Sequence, residues 1–277
     1  MKPSESRQTG PDIKLDSKLS VMLKDKIPIV IFVGPQKTGT TYIYDVISQD
    51  RNVNISRAVK EIFFFDRYFH LGLDWYSKHF SNSQQMIDFS PSIFSDQEAL
   101  NNVFQTFPDA LIIVTVRNPV ERSWSHYQHL RRYGYTADSL VESCKKFPEI
   151  IEGSRYSTYI SKWKERFGDQ NVKVLRFDDL KSDTSNFVNT LKRFITFDAS
   201  PEFAVNRNYA QQHRSKPLIK MARSVANFLR RYRIYFFINV LKKIGINYFL
   251  FKDSSERITE SEQRFLEGLL KDEVDIG

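Results

Sequence analysis

Short apolar runs alternate along this chain with polar stretches at helical spacing, and their order predicts most of the fold. Pro28 to Val33 (PIVIFV) is continuously apolar and β-branched, the pattern of a strand covered on both faces. It leads into Gly34-Pro35-Gln36-Lys37-Thr38-Gly39, and Thr40 to Gln49 then reads as a helix. Met86 to Phe89 predicts a second strand and Leu111 to Val116 (LIIVTV) a third. That run breaks at Arg117-Asn118-Pro119, and a helix is expected from about Val120 to Arg132. Proline suits a first helical turn, where its missing N–H would have no partner anyway. Tyr156, Tyr159, Ile160, Trp163 and Phe167 fall at helical spacing, Val172 to Phe177 (VKVLRF) predicts a fourth strand, and Phe187 to Ile195 and Thr259 to Lys271 predict further helices. Strands separated by helical stretches imply an α/β fold, a central mostly parallel sheet with helices on both faces. Such sheets bind ligands beyond the carboxyl ends of their strands, where the loops at Gly34 and Arg117 lie.

Length and charge refine this picture. The 277 residues suit one large domain, expected over 27–277, with 1–26 as a loose N-terminal arm. Cys144 is the only cysteine, which excludes an internal disulfide and paired-thiol metal sites. The first residues are polar, without the apolar core of a secretory signal, and no run approaches the ~18–20 apolar residues of a membrane-spanning helix. A cytoplasmic protein is expected. The net charge of +8 is concentrated: residues 203–252 hold eleven Lys or Arg and no Asp or Glu. Such a segment usually faces an anion. Within it Leu218, Ala222, Val225 and Leu229 keep helical spacing and Ile234 to Leu241 is apolar and aromatic. It reads as a basic, aromatic-rich helical subregion, either a packed helix pair or a lid that contacts an anionic or lipid-linked acceptor at the inner membrane face.

The chemistry centres on the loop after the first strand. A strand, a glycine-rich turn and a helix together offer free N–H groups and a positive helix end to an anion. A Walker loop places its lysine directly after the second glycine; here Thr40 follows Gly39, and Lys37 sits two residues earlier. The LIIVTV strand also ends in Arg117 rather than in the Asp that holds Mg²⁺ in Walker-type enzymes. Both features argue against a Mg-dependent kinase.

PQKTGTT after a first strand resembles the 5′-phosphosulfate loop of sulfotransferases, which use 3′-phosphoadenosine 5′-phosphosulfate (PAPS). The second motif of that family, an arginine at a strand end and a serine eight positions on, is matched by RNPVERSWS from Arg117 to Ser125. GPQKTGTT, GLDWY at Gly72 to Tyr76 and SWSHYQH at Ser123 to His129 are similar to the sulfotransferase domains of heparan sulfate N-deacetylase/N-sulfotransferases and their bacterial relatives. The likeness covers roughly Ile29 to Ile195.

The resemblance implies a P-loop-like sulfotransferase fold and PAPS as co-substrate, with no metal. It implies that Pro35, Gln36, Lys37, Thr38, Gly39, Thr40 and Thr41 hold the 5′-phosphosulfate, with Lys37 stabilising the leaving oxygen. Arg117 and Ser125 would hold the 3′-phosphate, with Arg214 and Lys216 in the place of a basic closing loop. Glu61, in the KExxFFD-like segment Lys60 to Asp66, would be the catalytic base, with His126 and His129 as rivals; His70, His79 and His213 have no assigned role. The lysine of an EKS segment found in the heparan-type enzymes is replaced here by Phe89, in Asp88-Phe89-Ser90. The implied acceptor is a carbohydrate or glycolipid hydroxyl or amine, not a nucleic acid. The alternatives are a nucleotide kinase with a variant loop and a non-catalytic nucleotide- or membrane-binding protein.

Overall fold

The computed structural model describes residues 29–81, 85–198, 211–213, 225, 227–236, 251–253 and 257–273. The expected arm over 1–26, Arg214, Lys216, Leu218 and Ala222 lie outside the described residues. The core is a five-stranded sheet of order β2-β3-β1-β4-β5, in which every adjacent pair is parallel. Its strands are β1 (Val30–Gly34), β2 (Asn54–Ile55), β3 (Met86–Phe89), β4 (Leu111–Val116) and β5 (Val172–Arg176). The unbroken apolar runs of β1 and β4 are explained by their central position, with layers on both faces.

One layer packs residues of β1 and β4 (Ile31, Val33, Ile112, Val114) against Phe64, Tyr76, Phe94, Tyr156 and Trp163. It is covered by α2 (Gly72–Ser77), α3 (Gln97–Thr106) and α7 (Tyr156–Phe167). The opposite layer packs Val30, Phe32 and Ile113 against Ile43, Ile47, Phe187 and Leu191, on α1 (Thr40–Ile47) and α9 (Thr184–Lys192). The third cluster joins α4 (Pro119–Arg132), α5 (Leu140–Lys146) and α6 (Glu149–Glu152) to α10 (Glu260–Leu270) through Tyr127, Leu130, Leu140, Ile150, Leu266 and Leu270.

Several boundaries differ from expectation for local reasons. Phe177, expected at the end of the fourth strand, instead opens α8 (Phe177–Ser182) directly after β5. The helix expected at Phe187 begins at Thr184 because the Asp183 carboxylate accepts from Asn186 N and caps it, as short polar side chains do. The 203–252 subregion is not wholly helical: β6 (Gln211–His213) pairs antiparallel with β7 (Phe251–Asp253), while 227–231 is helical. β1 sits between β3 and β4, so the chain reverses its direction of travel across the sheet there, and the crevice beyond the carboxyl ends of β1 and β4 is where this topology places a ligand.

Candidate active site

The loop between β1 and α1 is held by close contacts that admit few other residues. Gly34 has φ 92°, and a Cβ there would lie 2.6 Å from the Pro91 carbonyl oxygen. Gly39 has φ 85°, and a Cβ would meet the Phe177 ring at 2.5 Å. Lys37 adopts φ 76° without being glycine, a conformation that costs energy and recurs at functional loops. The buried Thr38 hydroxyl donates to Pro35 O at 2.6 Å and meets the Thr115 hydroxyl of β4. Among the described residues the N–H groups of Lys37, Gly39, Thr40 and Thr41 donate to no acceptor, while Thr38 closes the turn over residues 36–37. An array of unpaired N–H groups at a helix start is suited to a phosphate. These donors, surrounded by cations, fit the 5′-phosphate end of the nucleotide that the sequence implies.

Three remote parts of the chain converge on this loop. From the end of β4, Arg117 NH1 donates to Lys37 O at 3.5 Å; its Nε and NH2 donate to Glu121 Oε2 at 3.1 and 2.7 Å. Its guanidinium also stands 5.3 Å from the centre of the Phe177 ring. From the segment before the π-helix Phe64–Tyr68, Lys60 Nζ donates to Thr40 Oγ1 at 3.1 Å, Thr41 Oγ1 at 3.2 Å and Glu61 Oε1 at 3.2 Å. Glu61 is thereby placed one ion pair away from the loop threonines.

From the interior of α4 comes Arg122, fully buried, with Nε donating to Gln36 O at 3.0 Å and NH1 to Glu149 O and Ile150 O at 3.0 and 2.9 Å. Its NH2 donates to His126 Nδ1 at 2.7 Å. The sequence reading missed Arg122, because an arginine in mid-helix is ordinarily a surface residue. It ties the loop to α4 and α6 at once.

The electrostatics follow from this crowding. Burial, then the charges of Arg132, Lys60, Arg117 and Arg122, lower the Lys37 ammonium to about 8. Burial and the Arg122 guanidinium hold His126 well below its ordinary value, and burial with Lys37 and Arg132 does the same for His129. Both imidazoles are therefore neutral at pH 7, and His126 uses Nδ1 to receive Arg122. The arrangement strongly favours a multiply charged anion, which would stabilise the charged form of Lys37.

The sequence-derived residues thus fall into three groups. Pro35 to Thr41, Arg117 and Glu61 are brought together. The Thr38 hydroxyl is engaged inside the protein, with Pro35 O and the Thr115 hydroxyl. Ser125 lies half-buried on α4, four and seven residues before His129 and Arg132, spacings that share a helix face. Arg214 and Lys216 lie outside the described residues, although β6, which ends at His213, packs beside α4. Phe89 is a core residue, its ring stacked on Phe32 at 4.4 Å, so nothing at that position reaches an acceptor. His70 is exposed, and His79 Nε2 is 2.6 Å from the Tyr235 hydroxyl. Among the described residues no group of three His, Cys, Asp or Glu side chains is arranged to hold a metal ion.

Comparison with known proteins identifies the family. The chain is 28% identical over 195 residues to the bifunctional heparan sulfate N-deacetylase/N-sulfotransferase 1 of Xenopus laevis, covering 62% of this chain and 22% of that protein. It is 28% identical over 198 residues to the Caenorhabditis elegans protein of the same name, covering 65% and 23%. The chain therefore spans about a fifth of the length of the curated relatives it matches. Its fold is similar to that of a sulfotransferase from Alicyclobacillus acidocaldarius, with a TM-score of 0.54 at 21% identity over 75% of this chain and 95% of the other. Residues 28–240 match the family described as the sulfotransferase domain, and a match over more than half of its length makes the chain a member of that family.

Proposed function

We propose that this protein transfers the sulfuryl group of PAPS to a hydroxyl or amine of a carbohydrate or lipid-linked acceptor by in-line displacement. The observation that carries this reading is the convergence on one loop of Lys37, Arg117 and the Lys60–Glu61 pair. The donor, when bound, supplies an activated sulfuryl group whose departure leaves negative charge on a phosphate oxygen. The N–H groups of Lys37, Gly39, Thr40 and Thr41 and the hydroxyls of Thr40 and Thr41 hold the 5′-phosphate. Lys37 places its ammonium where that charge develops, a fixed electrostatic contribution made in a water-poor site. Arg117 exchanges Glu121 for the 3′-phosphate, and Ser125, with Arg214 and Lys216, completes its grip. Glu61 accepts the proton of the attacking hydroxyl or amine at a carboxylate oxygen, releasing its bond to Lys60. The naming of relatives as heparan sulfate N-sulfotransferases supports a glycan acceptor, while the core position of Phe89 argues that any such glycan is activated without the lysine of those enzymes.

Calorimetric titration tests the reading. Adenosine 3′,5′-bisphosphate is expected to bind at least tenfold more tightly than ATP with Mg²⁺, and Arg117→Ala to remove most of that preference. Equal or weaker binding of the bisphosphate would favour a nucleotide kinase and end the proposal.

A further inference from the structure

Residues 227–236 lie across an aromatic wall made by the segment from Phe63 to His79. The Tyr68 hydroxyl donates to Asn227 O at 3.5 Å and Trp75 Nε1 to Arg231 O at 3.1 Å, while His79 Nε2 meets the Tyr235 hydroxyl at 2.6 Å. Arg233 donates to Lys78 O. The Arg230 guanidinium lies 5.6 Å from the centre of the Phe63 ring, two residues beyond Glu61. One side of the segment is thus firmly seated, with Tyr235 buried.

The other side is apolar and faces outward. Val225, Phe228, Tyr232 and Phe236 are 48%, 59%, 60% and 71% exposed, and the rings of Phe228 and Tyr232, one helical turn apart, are 4.8 Å from each other. Five of the nine exposed large hydrophobic residues among the described residues fall within 225–236, so this is a patch and not scattered exposure. The surrounding sequence, 203–252, carries eleven cations and no acidic residue. Docking against a second copy would bring together two chain segments of this strong positive charge, which is costly. A bilayer with anionic headgroups satisfies both features: aromatic rings settle at headgroup level and the exposed Arg231 reaches the lipid phosphates. No described helix is long and apolar enough to cross a membrane.

We propose that the 225–236 face docks on the surface of a bilayer that contains anionic lipid. Because the segment sits on Phe63, a docked chain carries the Glu61 loop to headgroup level. The docking needs no turnover, so it stands or falls separately from the sulfuryl-transfer reading.

Flotation on phosphatidylcholine vesicles, with and without phosphatidylglycerol, tests it. The full chain is expected to float only with the anionic lipid and to be released by salt. The double variant Phe228→Ser/Tyr232→Ser should weaken flotation about tenfold or more, and Arg231→Ala about fivefold. Both should keep the wild-type affinity for adenosine 3′,5′-bisphosphate, showing that the fold persists. Absence of flotation, or equal flotation of the double serine variant, would overturn the proposal. So would a concentration-dependent dimer that the double variant abolishes, since it would assign the face to a second copy.

Discussion

Replacing Arg122 with methionine removes the residue that ties the phosphate loop to the helices behind it. Methionine fills much of the same volume but removes the donor from the carbonyl oxygens of Gln36, Glu149 and Ile150 and from one nitrogen of His126; among the described residues only the Glu149 oxygen of these keeps a partner, the Gly153 N–H at 3.3 Å. Each orphaned buried group costs about 1–3 kcal/mol. Against this, Arg122 forms no ion pair among the described residues, and burial pulls it down to about 10; relief of that burial offsets several kcal/mol. The net destabilisation is about 2–4 kcal/mol, which for a domain of this size lowers the melting temperature by roughly 5–15 °C. Because the Gln36 carbonyl loses its anchor, affinity for adenosine 3′,5′-bisphosphate should fall about tenfold in proportion to the loosened loop, with Arg122→Lys recovering part of both effects. Gly153→Ala reaches the same staple by another route, since its Cβ would lie 2.3 Å from Arg122 NH2. Differential scanning calorimetry and nucleotide titration read the outcome. A methionine variant that melts and binds like the wild type would refute the claim that Arg122 holds the loop.

Four further predictions concern the site itself. Lys37 titrates near 8 in the folded protein, below its unfolded value, so the unfolded chain binds more protons between about 8 and 10.5. Stability should therefore rise with pH across that window, and Lys37→Met should flatten the rise in calorimetric melts. A bound phosphosulfate favours the charged ammonium, so nucleotide affinity should fall as pH climbs past 8 with proton uptake on binding; titration in buffers of different ionisation heat measures it, and Lys37→Arg should remove it. Glu61→Gln should keep nucleotide affinity yet lose about 10²–10⁴-fold in turnover, and full turnover in that variant would remove Glu61 as base. Gly39→Ala, strained at φ 85° and pressed on the Phe177 ring, should weaken nucleotide binding far more than Gly268→Ala, whose Cβ meets open space on α10; equal effects on titration would contradict the packed-loop account.

The parts legible in the sequence were those with one strong cause. PIVIFV and LIIVTV read as strands because they are covered on both faces in the middle of a parallel sheet. The loop was legible because Gly34, Lys37 and Gly39 mark backbone turns that few other patterns share. Strand β2 was not legible: two residues hold no periodicity, and its place comes from pairing with β3. The π-helix at Phe64–Tyr68 hid inside an aromatic run that suits several conformations. Arg122 hid because its role depends on carbonyls 27 and 28 residues ahead and 86 behind, which only the folded chain brings together. The Lys60 contact with Thr40 and Thr41, likewise, joins residues whose nearness no local pattern encodes.

The central claim is sulfuryl transfer from PAPS by the Lys37, Arg117 and Glu61 constellation. Its most direct measurement is the movement of radiolabelled sulfate from PAPS into cell extract separated into lipid, glycan and small-molecule fractions. The account predicts label in the glycan or lipid fraction with the wild type, and loss of that label with Lys37→Met even at saturating donor. Label in no fraction beyond background, or undiminished transfer by Lys37→Met, would contradict it.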